Sequence, residues 1–302
     1  MANSDVLSVE RDGDVATLWL DRPEARNAMG PAFWSDLPLV MQELSDDRSV
    51  RVIVIAARGP HFSVGLDLKS MAGMLTADAH DSDDGADGNG ANDGAGGAPV
   101  VGNGSGGKRP PSMASRAVAA RQGILRMQRS VTSVADCPKP TIAAVHGYCI
   151  GGGVDLISAC DIRVASADAL FSVRETRVAI VADLGSLQRL PRIIGKGHVA
   201  ELALTGKDVS AARAKEIGLV NNVFPDAAAA LAGAHELAIE IAANSPLAVQ
   251  GTKAVLAACE DKSVSEGLDY VATWNAGFLS SDDLVEAMTA FMEKRSPEFR
   301  GR

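Results

Sequence analysis

Cysteine is scarce. The four cysteines, at positions 137, 149, 160 and 259 of a 302-residue chain, have neither the spacing of a metal site nor the density of a small secreted scaffold, so they read as reduced core residues. Basic charge is in deficit, with 29 Lys and Arg against 38 Asp and Glu, a net −9. That balance removes any general electrostatic reason to bind nucleic acid or an anionic membrane. No run reaches the roughly 18 apolar residues of a membrane span, and the opening "MANSDVLSVERDG" has no basic segment followed by an apolar one. The final "EFRGR" matches no peroxisomal or retention address. The five histidines, 61, 80, 146, 198 and 235, are scattered without ligand spacing. These absences lead to the expectation of a soluble cytoplasmic protein with no metal, no nucleic-acid partner and no membrane partner.

What is present is a core-forming composition, 46% apolar, in a chain long enough for one large domain or two modest ones. "VLSVERDGDVATLWL" has two alternating runs around Asp12-Gly13 and reads as a hairpin. "PAFWSDLPLVMQELSDD" has helical periodicity with Pro31 in its first turn, and "VRVIVIAARG" has the composition of a buried strand. From about Thr76 to Arg109 the chain turns Gly-, Asp- and Asn-rich, and nothing in it offsets the entropy of ordering. This stretch is expected to be a disordered surface insertion. A long helix is expected from Ser112 to Cys137, then "TIAAVHGYCI" as a strand, "GVDLISAC" as a helix, and "DIRVAS" and "ALFSV" as strands. A helix interrupted near Pro191 follows, then helix and strand up to Pro225, then four helices to the end. Alternation of strands and helices, followed by helices alone, defines an α/β class.

The sequence places acids where solvated surface is not needed. Asp155 comes directly after Gly151, Gly152 and Gly153, and Glu175 and Asp183 lie in "SVRETRVAIVADLGSLQRLP". Each has an ordinary structural reading. Asp155 suits the first turn of a helix, worth about 0.3–1 kcal/mol; Glu175 could be a surface acid paired with Arg174 or Arg177; Asp183 could be an N-cap for the helix beginning at "LGSLQRL". The three glycines fall at a strand-to-helix transition, where missing side chains let a ligand approach main-chain N–H groups. Gly65 and Leu66, behind the earlier strand, could supply an opposing N–H, and two such donors would stabilise an oxygen gaining negative charge.

The segment "PTIAAVHGYCIGGGVDLISACDIRVASADALFSVRETRVAIVADLGSLQRLPRIIG", together with "RPEARNAM" and "HFSVGLDLKSM", resembles the enoyl-CoA hydratase/isomerase, or crotonase, superfamily. The likeness covers the chain apart from the insertion. Within the superfamily it is closest to the delta(3,5)-delta(2,4)-dienoyl-CoA isomerases, through Asp155, Glu175 and Asp183 together. The resemblance implies a crotonase-like β-β-α spiral core over residues 1–225, with the insertion at about 76–109. It implies a C-terminal helical trimerisation region over 226–302, and a homotrimer or dimer of trimers. It implies an oxyanion hole formed by the N–H groups of Leu66 and Gly152, and contacts to the CoA part of an acyl-CoA thioester by Arg22, Ala25 and Lys294. Coenzyme A is then part of the substrate, and no separate cofactor is called for.

By the same resemblance, Glu175 is the position shared by hydratases and dienoyl isomerases, while Asp183 stands where a simple hydratase has glycine. Moving two double bonds requires a proton removed at C2 and another delivered at C6. Asp183 is expected to abstract, Glu175 to deliver and Asp155 to orient them. Two alternatives stay open: a 2-trans-enoyl-CoA hydratase using Asp155 and Glu175, and a non-catalytic acyl-CoA-binding protein. Trp274 and Phe278, one helical turn apart, are expected in the core or a tunnel wall.

Overall fold

The computed structural model describes residues 4–70 and 112–302. The expected insertion at 76–109 lies outside the described residues. A six-stranded sheet has the order β1-β2-β3-β4-β6-β9, from β1 (Leu7–Asp12), β2 (Val15–Leu20), β3 (Val52–Ala57), β4 (Thr141–Val145), β6 (Ile162–Ser166) and β9 (Asn222–Phe224). β1 and β2 form the expected antiparallel hairpin, and the other neighbours pair in parallel. A smaller sheet joins β5 (Tyr148–Ile150), β7 (Leu170–Ser172) and β8 (Val209–Ser210). "TIAAVHGYCI" therefore forms two strands in two sheets. The chain changes sheet at His146-Gly147, and β5 pairs with β7.

The central strands are apolar on both faces because both faces are covered. On one face Val15, Trp19, Val52, Val54, Ile142 and Val164 meet Ala234, Ala238 and Ala242 of α7 (Ala227–Ala242). Alanines four residues apart make a smooth stripe that lets this helix lie close on the sheet. On the other face Leu18, Leu20, Ile53, Ile55 and Val145 join a larger core with Leu37, Met41 and Leu44 of α1 (Pro31–Asp46) and Val131 and Val134 of α2 (Met113–Ala135). α3 (Gly152–Ser158) lies within this second core, buried over its whole length. The expected division at 225/226 falls between β9 and α7, whose inner stripe is part of the sheet's cover.

α4 (Ser186–Ile193) runs through Pro191, and the break before α5 (Lys196–Thr205) falls at Gly195 instead. Pro191 removes only the bond its own nitrogen would make, and the turn is held by the fully buried Leu190. α6 (Ala211–Glu216) precedes β9. Beyond α7 come α8 (Pro246–Cys259), α9 (Val264–Phe278) and α10 (Asp282–Glu293). α9 has no buried residue. Trp274 is half-buried, stacks on Phe278 at 4.8 Å and covers Gly251 of α8, but Phe278 is exposed, so within one chain the pair is not core. Asp283 is buried and accepts from Ser245 Oγ at 2.6 Å and from the Arg300 N–H at 2.8 Å, tying α10 and the tail to the start of α8. Cys137, Cys149 and Cys160 are buried free thiols, and Cys259 on α8 is half-buried. Among the described residues no helix is long and apolar enough to cross a membrane.

Candidate active site

Two loops bring main-chain N–H groups together. After β3 the chain passes Ser63, which bridges to Cys149 of β5: the Ser63 N–H donates to the Tyr148 carbonyl at 2.9 Å and the Ile150 N–H to the Ser63 carbonyl at 3.0 Å. Three residues on, Leu66 lies beside the first turn of α3. Gly65 has φ +83°, and a Cβ there would stand 2.7 Å from the Ile150 carbonyl and 3.2 Å from the Gly152 nitrogen. No other residue permits that approach. Gly151, at φ +52° and ψ −117°, turns the end of β5 into α3. Gly152 is thus a first helical residue whose N–H has no partner within its own helix. Among the described residues neither the Leu66 nor the Gly152 N–H has an acceptor. Both N–H groups are therefore left with their hydrogen-bonding capacity unused.

The loop holding Leu66 is pinned by residues the sequence did not single out. Asn27 is buried, donating through Nδ2 to the Arg58 and His61 carbonyls at 2.9 Å each and accepting from the Arg22 N–H at 2.8 Å. Ser63 Oγ donates to the Asn27 carbonyl at 2.8 Å and accepts from the Gly65 N–H at 3.1 Å. The Met29 N–H donates to the Gly65 carbonyl at 2.8 Å, and the Asp67 N–H to the Met29 carbonyl at 3.0 Å, on either side of Leu66. "RPEARNAM" therefore serves as a brace for the donor loop. Its signal in sequence was membership of a motif, with no periodicity to reveal the task.

The three acids lie close enough for their charges to act on one another. Asp155, in the first turn of α3, is only 1% exposed, and its Oδ1 accepts from the Ser186 N–H at 2.6 Å. Burial pushes its carboxyl up to about 6, partly opposed by the hydrogen bonds from Ser186, with the charge of Asp183 adding to the rise. Glu175 begins a short 3-10 turn, Glu175–Val178, just past β7. A Cβ on Gly151 would lie 3.2 Å from Glu175 Oε1, so this carboxyl faces the donor turn, and its Oε2 is buried without a hydrogen-bond partner. Burial, reinforced by the charges of Asp155 and Asp183, pushes it up to about 7. Asp183 is half-buried and is raised from its ordinary value by desolvation.

The ordinary readings of these acids are resolved by their contacts. Arg174 pairs with Asp208, and Arg177 Nε donates to the Thr205 carbonyl at 3.3 Å, so among the described residues Glu175 has no ion pair. The N-cap of α4 is Gly185, so Asp183 is not a cap. The carboxylate that meets the start of α4 belongs to Asp155, reaching across from α3. Arg22 pairs with Asp67 at 2.7 Å, directly after Leu66, and Ala25 closes the 3-10 turn Pro23–Ala25 beside it. Lys294 is exposed at the C-terminal cap of α10, with φ +56°. Among the described residues no three of His, Cys, Asp and Glu are grouped to hold a metal ion.

A six-stranded sheet continued by a second small sheet, and paired donor loops before and after β5, are the architecture of one family. The chain belongs to the enoyl-CoA hydratase/isomerase family, the crotonase superfamily, whose model matches residues 10–88 and 112–302. It is 41% identical over 295 residues to the peroxisomal delta(3,5)-delta(2,4)-dienoyl-CoA isomerase of Arabidopsis thaliana, covering 98% of this chain and 96% of that one. It is 42% identical over 279 residues to the mitochondrial enzyme of that name from Rattus norvegicus, covering 91% of this chain and 76% of that one. Among solved structures it superposes on an enoyl-CoA hydratase from Bacillus anthracis with a TM-score of 0.81 at 29% identity, covering 99% and 100% of the two chains.

These relatives overturn the expectation of a cytoplasmic protein, since they are named as peroxisomal or mitochondrial. Reduced thiols, negative charge and the lack of an apolar span are equally compatible with those compartments. An address is read by a receptor and leaves no mark on the fold.

Proposed function

We propose that the chain is a delta(3,5)-delta(2,4)-dienoyl-CoA isomerase, acting on an acyl-CoA thioester in fatty-acid β-oxidation. The observation that carries this reading is the convergence of three buried or half-buried acids on one pair of main-chain donors, with one of the acids already committed. Asp155 is engaged with the Ser186 N–H, while Glu175 has an unpartnered buried oxygen and Asp183 is no helix cap. Two carboxyls are therefore left to carry protons. A hydratase would need Asp155 and Glu175 to share one water and would give Asp183 no task.

In this mechanism the thioester oxygen of a 3,5-dienoyl-CoA accepts from the Leu66 and Gly152 N–H groups. Glu175, beside the Gly151 turn and hence at the thioester end, takes the proton from C2. The electron pair delocalises as a dienolate whose charge rests on the oxygen in the donor pair. Asp183 delivers a proton to C6, the 3,5-diene becomes the 2,4-diene, and Glu175 returns its proton to solvent as Asp183 regains one. The sequence reading has the reverse order; the order proposed here follows from Glu175 Oε1 facing the Gly151 turn. A carboxyl at about 7 suits a general base at neutral pH. Like charges crowded together keep a proton shared among the acids, and the reactive form is the one with that proton on Asp183 and Glu175 ionised.

Arg22, Ala25 and Lys294 are proposed to meet the CoA moiety, with Arg22 also bracing the donor loop through Asp67. α8 to α10 are proposed as the trimerisation region of a homotrimer or dimer of trimers. Support comes from apolar side chains that one chain leaves uncovered, such as Phe291 at 85% exposure with Leu268, Val285 and Met288. The test is a side-by-side assay of 3,5-dienoyl-CoA and 2-trans-enoyl-CoA with wild-type protein, Glu175→Gln and Asp183→Asn in D2O. Conversion of the first substrate is expected, with Asp183→Asn still exchanging the C2 proton but forming no product, and Glu175→Gln doing neither. Preferential hydration of the enoyl-CoA by an unimpaired Asp183→Asn protein would sink the reading.

A further inference from the structure

The loop carrying Asp183 is gripped by groups that take no part in the proton transfers above. Gln128 of α2 is half-buried, and its Nε2 donates to the Asp183 main-chain carbonyl at 2.6 Å. One turn further along α2, Thr132 Oγ1 accepts from an Arg189 terminal nitrogen at 3.1 Å, while the other terminal nitrogen of Arg189 reaches the Leu184 carbonyl at 3.3 Å. Residues four apart lie on one helix face. That face of α2 therefore holds two consecutive carbonyls, Asp183 directly and Leu184 through Arg189. Asp155 holds the Ser186 N–H from the other side, so the four residues 183–186 are fixed at three points by three helices.

We infer that Gln128 is a positioning residue for the isomerisation, setting the place of the Asp183 carboxyl through its hydrogen bond to the Asp183 carbonyl. An aspartate has two side-chain torsions, so a displacement of its main chain passes almost undiminished to the carboxyl. A misplacement of about 1 Å at a reacting group costs on the order of a hundredfold in rate. The Leu66 donor sits on a separate loop braced by Asn27 and Ser63, so the effect of Gln128 is expected on the chemical step and not on substrate binding. The inference rests on the functional reading above.

The test compares Gln128→Met, which keeps the shape and removes the donor, with Gln128→Lys, which restores a donor of similar reach. Gln128→Met is expected to lower kcat about ten- to a hundredfold with KM held within about twofold, and Gln128→Lys to recover much of the loss. A substrate-free arm measures amide hydrogen exchange, which should speed up over residues 183–186 in Gln128→Met and nowhere else. Unchanged kcat in Gln128→Met, a loss that Gln128→Lys shares in full, or unchanged exchange over 183–186 would each overturn the inference. A wild-type protein that does not turn over 3,5-dienoyl-CoA would overturn the functional reading instead, and the exchange arm would still decide whether Gln128 holds the loop.

Discussion

The donor side of the cleft is made of main chain, whereas the acid side is made of side chains. Leu66 and Gly152 contribute N–H groups whose placement depends on two left-handed glycines and a set of hydrogen bonds radiating from Asn27 and Ser63. Glu175, Asp155 and Asp183 contribute carboxyls whose behaviour depends on burial and on one another. The first side should tolerate changes of side chain at the very residues that do its work and fail when a glycine acquires a Cβ. The second should fail on replacement of a single oxygen by nitrogen.

The largest effect is expected on the acid side. Glu175→Gln and Asp183→Asn should each lower kcat on 3,5-dienoyl-CoA by about 10²–10⁴-fold, measured by formation of the conjugated 2,4-diene. On the donor side, Gly65→Ala should cost about 10²–10³-fold in kcat. Its methyl would press on the Ile150 carbonyl and the Gly152 nitrogen. Leu66→Met is the control, since only the main chain of residue 66 is used, and it should stay near wild type. Equal damage from Leu66→Met and Gly65→Ala would break the distinction.

The pH dependence sharpens the acid side. Activity requires one of Glu175 and Asp183 ionised and the other protonated, so kcat/KM should be bell-shaped, falling above about 7 and falling again at acidic pH as both become protonated. The Glu175→Gln protein should lose the limb near 7. The same titration acts on stability. The folded pKa of Glu175 lies above its ordinary 4.5, at about 7, so the folded state holds the extra proton. Its ionisation therefore destabilises the fold progressively as pH rises between those values. Glu175→Gln should then melt higher than wild type at pH 8, by about 1–2 kcal/mol after allowing for partial exposure, and equally at pH 4. Asn27→Ala should do the reverse, destabilising by about 1–3 kcal/mol because it strands buried carbonyls at Arg58 and His61. Thermal melts of the two variants at both pH values check this.

Much of this arrangement was legible in the order of residues. The Asp12-Gly13 hairpin, the buried strand at Val52–Ala57 and the long helix α2 all follow from local periodicity and turn chemistry. The glycine run before Asp155 marked the donor turn for the same reason: a main-chain site has a main-chain signature. The readings that failed depended on distant partners. Pro191 was expected to interrupt its helix, which instead runs on to Ile193 over the buried Leu190, and the carboxylate on the start of α4 is that of Asp155 rather than of Asp183, for which a cap was the ordinary alternative. Trp274 and Phe278 were expected in the core or a tunnel wall, and the core half of that expectation fails because an apolar i,i+4 pair reads the same whether its cover is this chain or something else.

By itself the sequence determined the family, the three acids and the two glycine-dependent turns, because residue type and spacing along the chain carry that information. Only the tertiary structure decided the surroundings of each acid. Burial sets Glu175 near neutrality, the Ser186 N–H claims Asp155, and Gln128, 55 residues upstream, holds the Asp183 main chain. Desolvation and hydrogen bonding depend on distances between segments remote in sequence, and those distances exist only once the sheets and helices have packed.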